Sequence, residues 1–119
     1  MPAPLESYLR TYRKRSGLSQ DEVAFLLGAA SGAKVSRYER RATQPKLETA
    51  LAYEAVFKTP VRELFAGLYQ KVEAEILERS QLLTEKLGAR RLDRITARKL
   101  AALRSLSAGS GPAGTQSER

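Results

Sequence analysis

A chain of 119 residues with a formal net charge of +8 has room for one small domain and an extension, and its positive excess favours polyanionic partners such as nucleic acid over an ordinary basic surface. The absence of cysteine excludes disulfide stapling and thiolate chemistry, and the absence of histidine removes the usual zinc ligand sets and histidine acid–base catalysis. No stretch approaches the roughly 18 apolar residues of a membrane span, and MPAPLESYLRTYRK lacks the apolar run of a secretory signal, so the expected location is cytoplasmic, with no membrane partner.

Periodic segments and breakers predict five short helices. Leu5, Leu9 and Tyr12 put one apolar side on the first, which RSGLS terminates. Ser19 begins the second: it can cap the free amides, Glu22 completes a capping box, Leu18 can staple onto Val23, and Gly28 stops the helix. Val23, Ala24, Leu26 and Leu27 supply its buried face. After GAAS, with Ser31 as the expected cap, the third helix turns Val35 and Tyr38 to one side and leaves Lys34, Arg37 and Arg41 on others. ATQPK is a turn before a fourth, core-packing helix carrying Leu47, Ala50, Leu51, Tyr53, Ala55 and Val56. Thr59 as cap and Pro60 in the first turn predict a fifth at VRELF.

From Leu68 the pattern lengthens. Leu68, Val72, Ile76, Leu83 and Leu87 recur at intervals of four or seven, and such a stripe must pack on its own domain or on a partner subunit; it is too irregular to declare a coiled coil. Residues 86–104 hold seven basic residues and one acid, a segment that can contact DNA or remain a solvated helix beyond a dimer interface. Leu92, Ile95, Leu100, Leu103 and Leu106 give it an apolar face, and SAGSGPAGTQSER reads as a disordered tail.

The elements GLSQDEVA, VSRYERR, LETALAYEAVF and VRELF, in this order within about residues 5 to 66, resemble the Cro/C1-type (XRE-type) helix-turn-helix family of DNA-binding proteins. The resemblance implies an all-α fold: a compact five-helix lambda-repressor-like domain at residues 1–66, a long C-terminal helix and basic segment over 67–106 for dimerisation or partner binding, and a disordered tail at 107–119. It places the third helix in the DNA major groove. Arg37 is then the first candidate for direct base reading, because an arginine can make a bidentate contact with guanine. Lys34 is a base contact, a phosphate contact or plain surface charge, and Ser36 joins it at the groove. Gly32 and Ala33 stand where the family often has longer polar side chains; Ala33 can touch a thymine methyl and Gly32 can permit close backbone approach.

Around that helix, the resemblance implies phosphate contacts from Gln20 in the first turn of the second helix and from Arg10, Arg41, Thr43, Gln44 and Lys46 at the edge. Arg13 and Glu39 form the expected scaffold pair holding the third helix, with phosphate binding by Arg13 as the alternative. Ala24, Leu27, Val35 and Tyr38 read as core. GAAS departs from the family turn by one extra alanine, which bears on the register of Gly32 and Ala33 more than on Arg37, anchored by the YERR that follows.

The implied function is sequence-specific binding of double-stranded DNA by a homodimeric transcriptional repressor on an inverted repeat. The alternatives are an antitoxin that binds its promoter and covers a toxin protein, or a protein-interaction adaptor that retains the scaffold. No catalytic residue, metal site or cofactor is expected, since Asp21, Glu22 and Glu39 sit where capping and pairing account for them.

Overall fold

In the computed structural model, residues 5–89 and 93–109 are described, and they form seven α-helices with no strand among them. The chain divides into two units between Gln70 and Lys71.

The first unit holds α1 (Leu9–Ser16), α2 (Gln20–Leu27), α3 (Gly32–Glu39), α4 (Leu47–Phe57), α5 (Val61–Leu64) and the start of α6 (Ala66–Gly88). Helices this short are marginal alone, so they depend on a shared core. That core is Leu9, Val23, Ala24, Val35, Tyr38, Tyr53 and Leu64, with Tyr12, Leu18, Leu27, Ala29, Phe57 and Phe65 packed against it. Every one of the five helices contributes. Aromatic rings run through it: Tyr38 meets Tyr53 edge-on at 6.2 Å between centroids, and Tyr53 stacks on Phe57 at 6.0 Å.

Ser19 and Glu22 form the complete capping box at the start of α2, each side chain bonding the other's backbone N–H. Gly28 closes the helix at φ 73°, where the Ala29 N–H donates to the Ala24 carbonyl (2.9 Å) and Gly28 to Phe25 (3.2 Å). This six-to-one and five-to-two pairing is a Schellman closure. It turns Ala29 onto the core and leaves Ala30 exposed, which absorbs the extra residue of GAAS without lengthening either helix.

Several local expectations are corrected. Helix α1 starts at Leu9, and Leu5 is exposed in the segment before it, where its carbonyl accepts the Gly67 N–H. Leu26 is exposed because the buried stripe of α2 runs through Val23, Ala24 and Leu27. In α4 the stripe is Ala50, Tyr53 and Phe57, leaving Leu47 (73% exposed), Leu51 and Ala55 on the outside. Thr59 does not cap α5. Pro60 takes the cap position, Thr59 donates its hydroxyl to the Phe57 carbonyl, and the Glu54 carboxylate of α4 accepts the Val61 N–H at 3.0 Å.

The second unit comprises the rest of α6 and α7 (Arg94–Gly109). Ser80, Leu87 and Thr96 are buried, and Leu77, Leu100 and Leu103 are half-buried. Val72, Ile76 and Leu83 lie exposed along α6. The Asp93 carboxylate accepts the Thr96 N–H at 2.7 Å, and that bond holds its carboxyl below the usual range, helped by its contact with the Thr96 side chain. Residues 107–109 belong to α7; Leu92 and the remainder of the expected disordered tail, from residue 110, lie outside the described residues. No helix among the described residues is long and apolar enough to cross a membrane.

Leu64 is fully buried from a four-residue helix, so truncation leaves a cavity under the whole first unit. Leu64→Ala is expected to lower unfolding free energy by about 2–5 kcal/mol, read as a lower denaturant midpoint with an unchanged slope.

Candidate nucleic-acid interface

Helix α3 is split lengthwise by burial. Gly32, Val35 and Tyr38 face inward, while Ala33, Lys34, Arg37 and Arg40 are exposed. An apolar side three and four residues apart anchors a helix, and the opposite side is thereby held out to solvent. Ser36 is half-buried, and its hydroxyl accepts from Arg40 Nε at 3.3 Å. Arg40 was not singled out in the sequence, although its place three residues after Arg37 in RYERR puts both on one side.

What fixes the C-terminal end of α3 is a carboxylate. Glu39, whose side chain is 3% exposed, receives Arg13 Nε on Oε2 (2.5 Å) and Arg13 Nη2 on Oε1 (3.1 Å), a side-on bidentate pair. Gln20 Nε2 also donates to Glu39 Oε1 at 3.1 Å, and Arg13 Nη1 donates to the Leu18 carbonyl at 3.1 Å. One network therefore links α1, the approach to α2, α2 and α3. The hydrogen bond to Glu39 pushes the Arg13 guanidinium further above its ordinary value, so it remains charged. Tyr53 lies within the electrostatic reach of the pair, and burial pushes its hydroxyl well up, which keeps it neutral.

At the other end of α3 the expected cap is replaced. Ser31 makes no side-chain capping bond; the Gly32 N–H donates instead to Asp21 Oδ1, on α2, at 2.9 Å. The fit leaves no space for a side chain: a Cβ on Gly32 would collide with Asp21 Oδ1 and stand 3.0 Å from the Asp21 backbone nitrogen. Gly32, expected at the groove, is thus buried against α2, and its lack of a side chain serves the approach of two helices. Asp21, assigned from the sequence to capping or pairing, is the residue that holds this end. Nothing in the local pattern signals a contact 11 residues away.

The edge residues fall into two sets. Arg10 on α1, Thr43 and Gln44 after α3, and Lys46 at the cap position of α4 are exposed, and no side-chain bond or ion pair engages them among the described residues. Arg41 is also exposed but reaches Glu6, with Nη1 2.7 Å from Oε1, and holds φ 62° just beyond the helix end. Such an open pair contributes only about 0–1 kcal/mol. Gln20, expected on phosphate, is half-buried with its amide nitrogen engaged by Glu39. The Ala42 N–H bonds the Arg37 carbonyl at 2.9 Å, tying the segment that carries Thr43 and Gln44 back onto α3.

Two short helices joined by a Schellman turn, with the second anchored along one face and cationic on the other, define a helix-turn-helix. Residues 9–64 match the helix-turn-helix family HTH_3, and the match supports a DNA-binding domain of the Cro/C1 (XRE) type in this part of the chain. No curated protein and no solved structure matches the chain.

The contact between Gly32 and Asp21 makes a coupled prediction. Gly32→Ala should lower stability by about 1–3 kcal/mol through overpacking. In an Asp21→Ala background the penalty should shrink, because only the backbone contact remains; a double-mutant cycle from denaturant midpoints measures the difference.

Proposed function

We propose that the chain is a sequence-specific, homodimeric transcriptional repressor that reads double-stranded DNA with the exposed face of α3. The observation that carries this is the cationic side of that helix, Lys34, Arg37 and Arg40, opposite a fully buried Val35 and beside a carboxylate-locked Glu39. A helix of this diameter enters the major groove, where an arginine on a rigid scaffold can address the paired acceptors of guanine. Arg37 is the principal base reader, Lys34 and Ser36 lie beside it, and Ala33 offers a methyl to thymine. Gly32 drops out of the reading set, since its position is buried.

Phosphates position the domain. Arg10, Thr43, Gln44, Lys46 and Arg41 are placed to donate to them, with Arg41 exchanging its exposed carboxylate partner for a phosphate, and the free side of Gln20 at the start of α2 adding a further contact. Arg13 does not take that part, because Glu39 and the Leu18 carbonyl take three of its five N–H donors and only 12% of its side chain is exposed.

Two domains on an inverted repeat require half-sites about 34 Å apart. Val72, Ile76 and Leu83, each more than two-fifths exposed on α6 at intervals of four and seven, supply the apolar face through which two copies pair.

Selection from a random duplex library should return a symmetric motif for the wild-type chain, and Arg37→Ala should lose preference at one position per half-site, about 1–3 kcal/mol of discrimination. Failure of folded wild-type protein to enrich any motif would reject this reading in favour of an adaptor or antitoxin. Ile76→Glu combined with Leu83→Glu should convert a dimer into a monomer in sedimentation velocity, with helicity retained. A dimer that persists places the interface elsewhere.

A further inference from the structure

The second unit separates its charges by helix. In α6, three cations are interspersed with four glutamates, which is how a solvated helix balances itself. In α7, Arg94, Arg98, Lys99 and Arg104 face no acid anywhere in 16 residues. All four are exposed, and none makes an ion pair among the described residues. Lys99 lies close enough to Asp93 to help lower its carboxyl.

This arrangement is electrostatically unfavourable in isolation. Arg94 and Arg98 are four residues apart and repel, and Arg94 stands in the first turn, where the helix dipole already presents positive charge. A polyanion would reverse both penalties.

The face itself suits one. At 3.6 residues per turn, Arg94, Arg98 and Arg104 fall within an arc of about 120°. The residues between them on that arc are Ala97, Ala101, Ser105 and Ala108, all exposed. Long guanidinium arms rising from a floor of methyl and hydroxymethyl groups allow a phosphodiester strand to lie against the helix. The arginines span about 15 Å, over which duplex DNA carries roughly nine phosphate charges. The opposite side is committed inward, with Thr96 buried and Leu100 and Leu103 half-buried. Of its large apolar side chains only Ile95 and Leu106 are exposed, less than the continuous apolar face that a membrane-surface helix buries.

Resting on the DNA-binding function proposed above, we infer that α7 is a second DNA contact, in which Arg94, Arg98 and Arg104 bind the phosphate backbone without reading bases. The helix adds affinity and salt dependence, while α3 supplies sequence choice.

The test uses the full chain and the duplex motif that it selects. Binding is measured across a series of salt concentrations for wild type and for Arg94→Gln/Arg98→Gln/Arg104→Gln, with circular dichroism to confirm that helicity is kept. A control, Lys71→Gln/Arg79→Gln/Lys86→Gln, removes the same charge from α6. The expected result is a log–log salt slope shallower by about 0.9 for each α7 arginine lost, weaker binding at equal salt, and an unchanged motif, while the control keeps the wild-type slope. An unchanged slope in the α7 variant overturns the inference and leaves the reading by α3 intact. Equal loss in both variants overturns it as well, by showing a general effect of net charge. Binding of wild type to anionic vesicles that the α7 variant loses, with the DNA slope unmoved, would assign the helix to membranes. Wild-type protein that binds no duplex at all rejects both proposals.

Discussion

The pairing of Arg13 with Glu39 is the constraint on which the rest of the first unit depends. Apolar contacts hold α3 in the core, but they are non-directional and tolerate rotation of a short helix about its axis. A bidentate guanidinium–carboxylate pair does not. Its planar fork fixes distance and angle together, and Gln20 and the Leu18 carbonyl take up further donors and acceptors, so the buried charges are surrounded by hydrogen bonds. Replacing such a pair by apolar residues need not reduce stability. Its contribution is to orientation: with Glu39 locked, the solvent side of α3 must present Lys34, Arg37 and Arg40.

The same logic recurs at helix starts. Both α3 and α5 follow a hydroxyl residue that is well placed to cap, Ser31 and Thr59, yet in each case a carboxylate from the helix before, Asp21 or Glu54, accepts the first amide. A local cap stabilises a helix wherever it lies, whereas a carboxylate from a neighbour stabilises it only in one position. Gly32 makes the approach possible at α3 by leaving room for Asp21, and the Schellman closure at Gly28 delivers the chain to that point. Together with Arg13 and Glu39, these contacts hold α3 at both ends.

The second unit differs in kind. Its buried residues are few, its apolar stripe along α6 is half open, and its positive charge is gathered on α7. A segment of that composition has little to gain from folding onto itself and more from external partners, apolar for one helix and anionic for the other. In the proposed function the first is a second copy of the chain, and in the further inference the second is the DNA backbone.

By itself the sequence determined the elements that depend on neighbours along the chain: the capping box at Ser19 and Glu22, the stop at Gly28, the buried faces at Val23, Ala24, Val35 and Tyr38, and the basic character of residues 86–104. These rest on amides, side chains and periods within a few residues, and they carry the resemblance that the family match supports. The roles settled by packing were legible only in part. Leu26, Leu47 and Leu51 are as apolar as their buried neighbours, and only the tilt of each helix against the others put them outside. Asp21 and Gly32 had no local signal, because their partnership joins two helices across a turn; likewise nothing in the sequence around Gln20 showed that Glu39 would take its amide. The tertiary structure alone decided which carboxylate meets which helix end, since a hydrogen bond between residues distant in the chain exists only once the core has brought its two partners within about 3 Å.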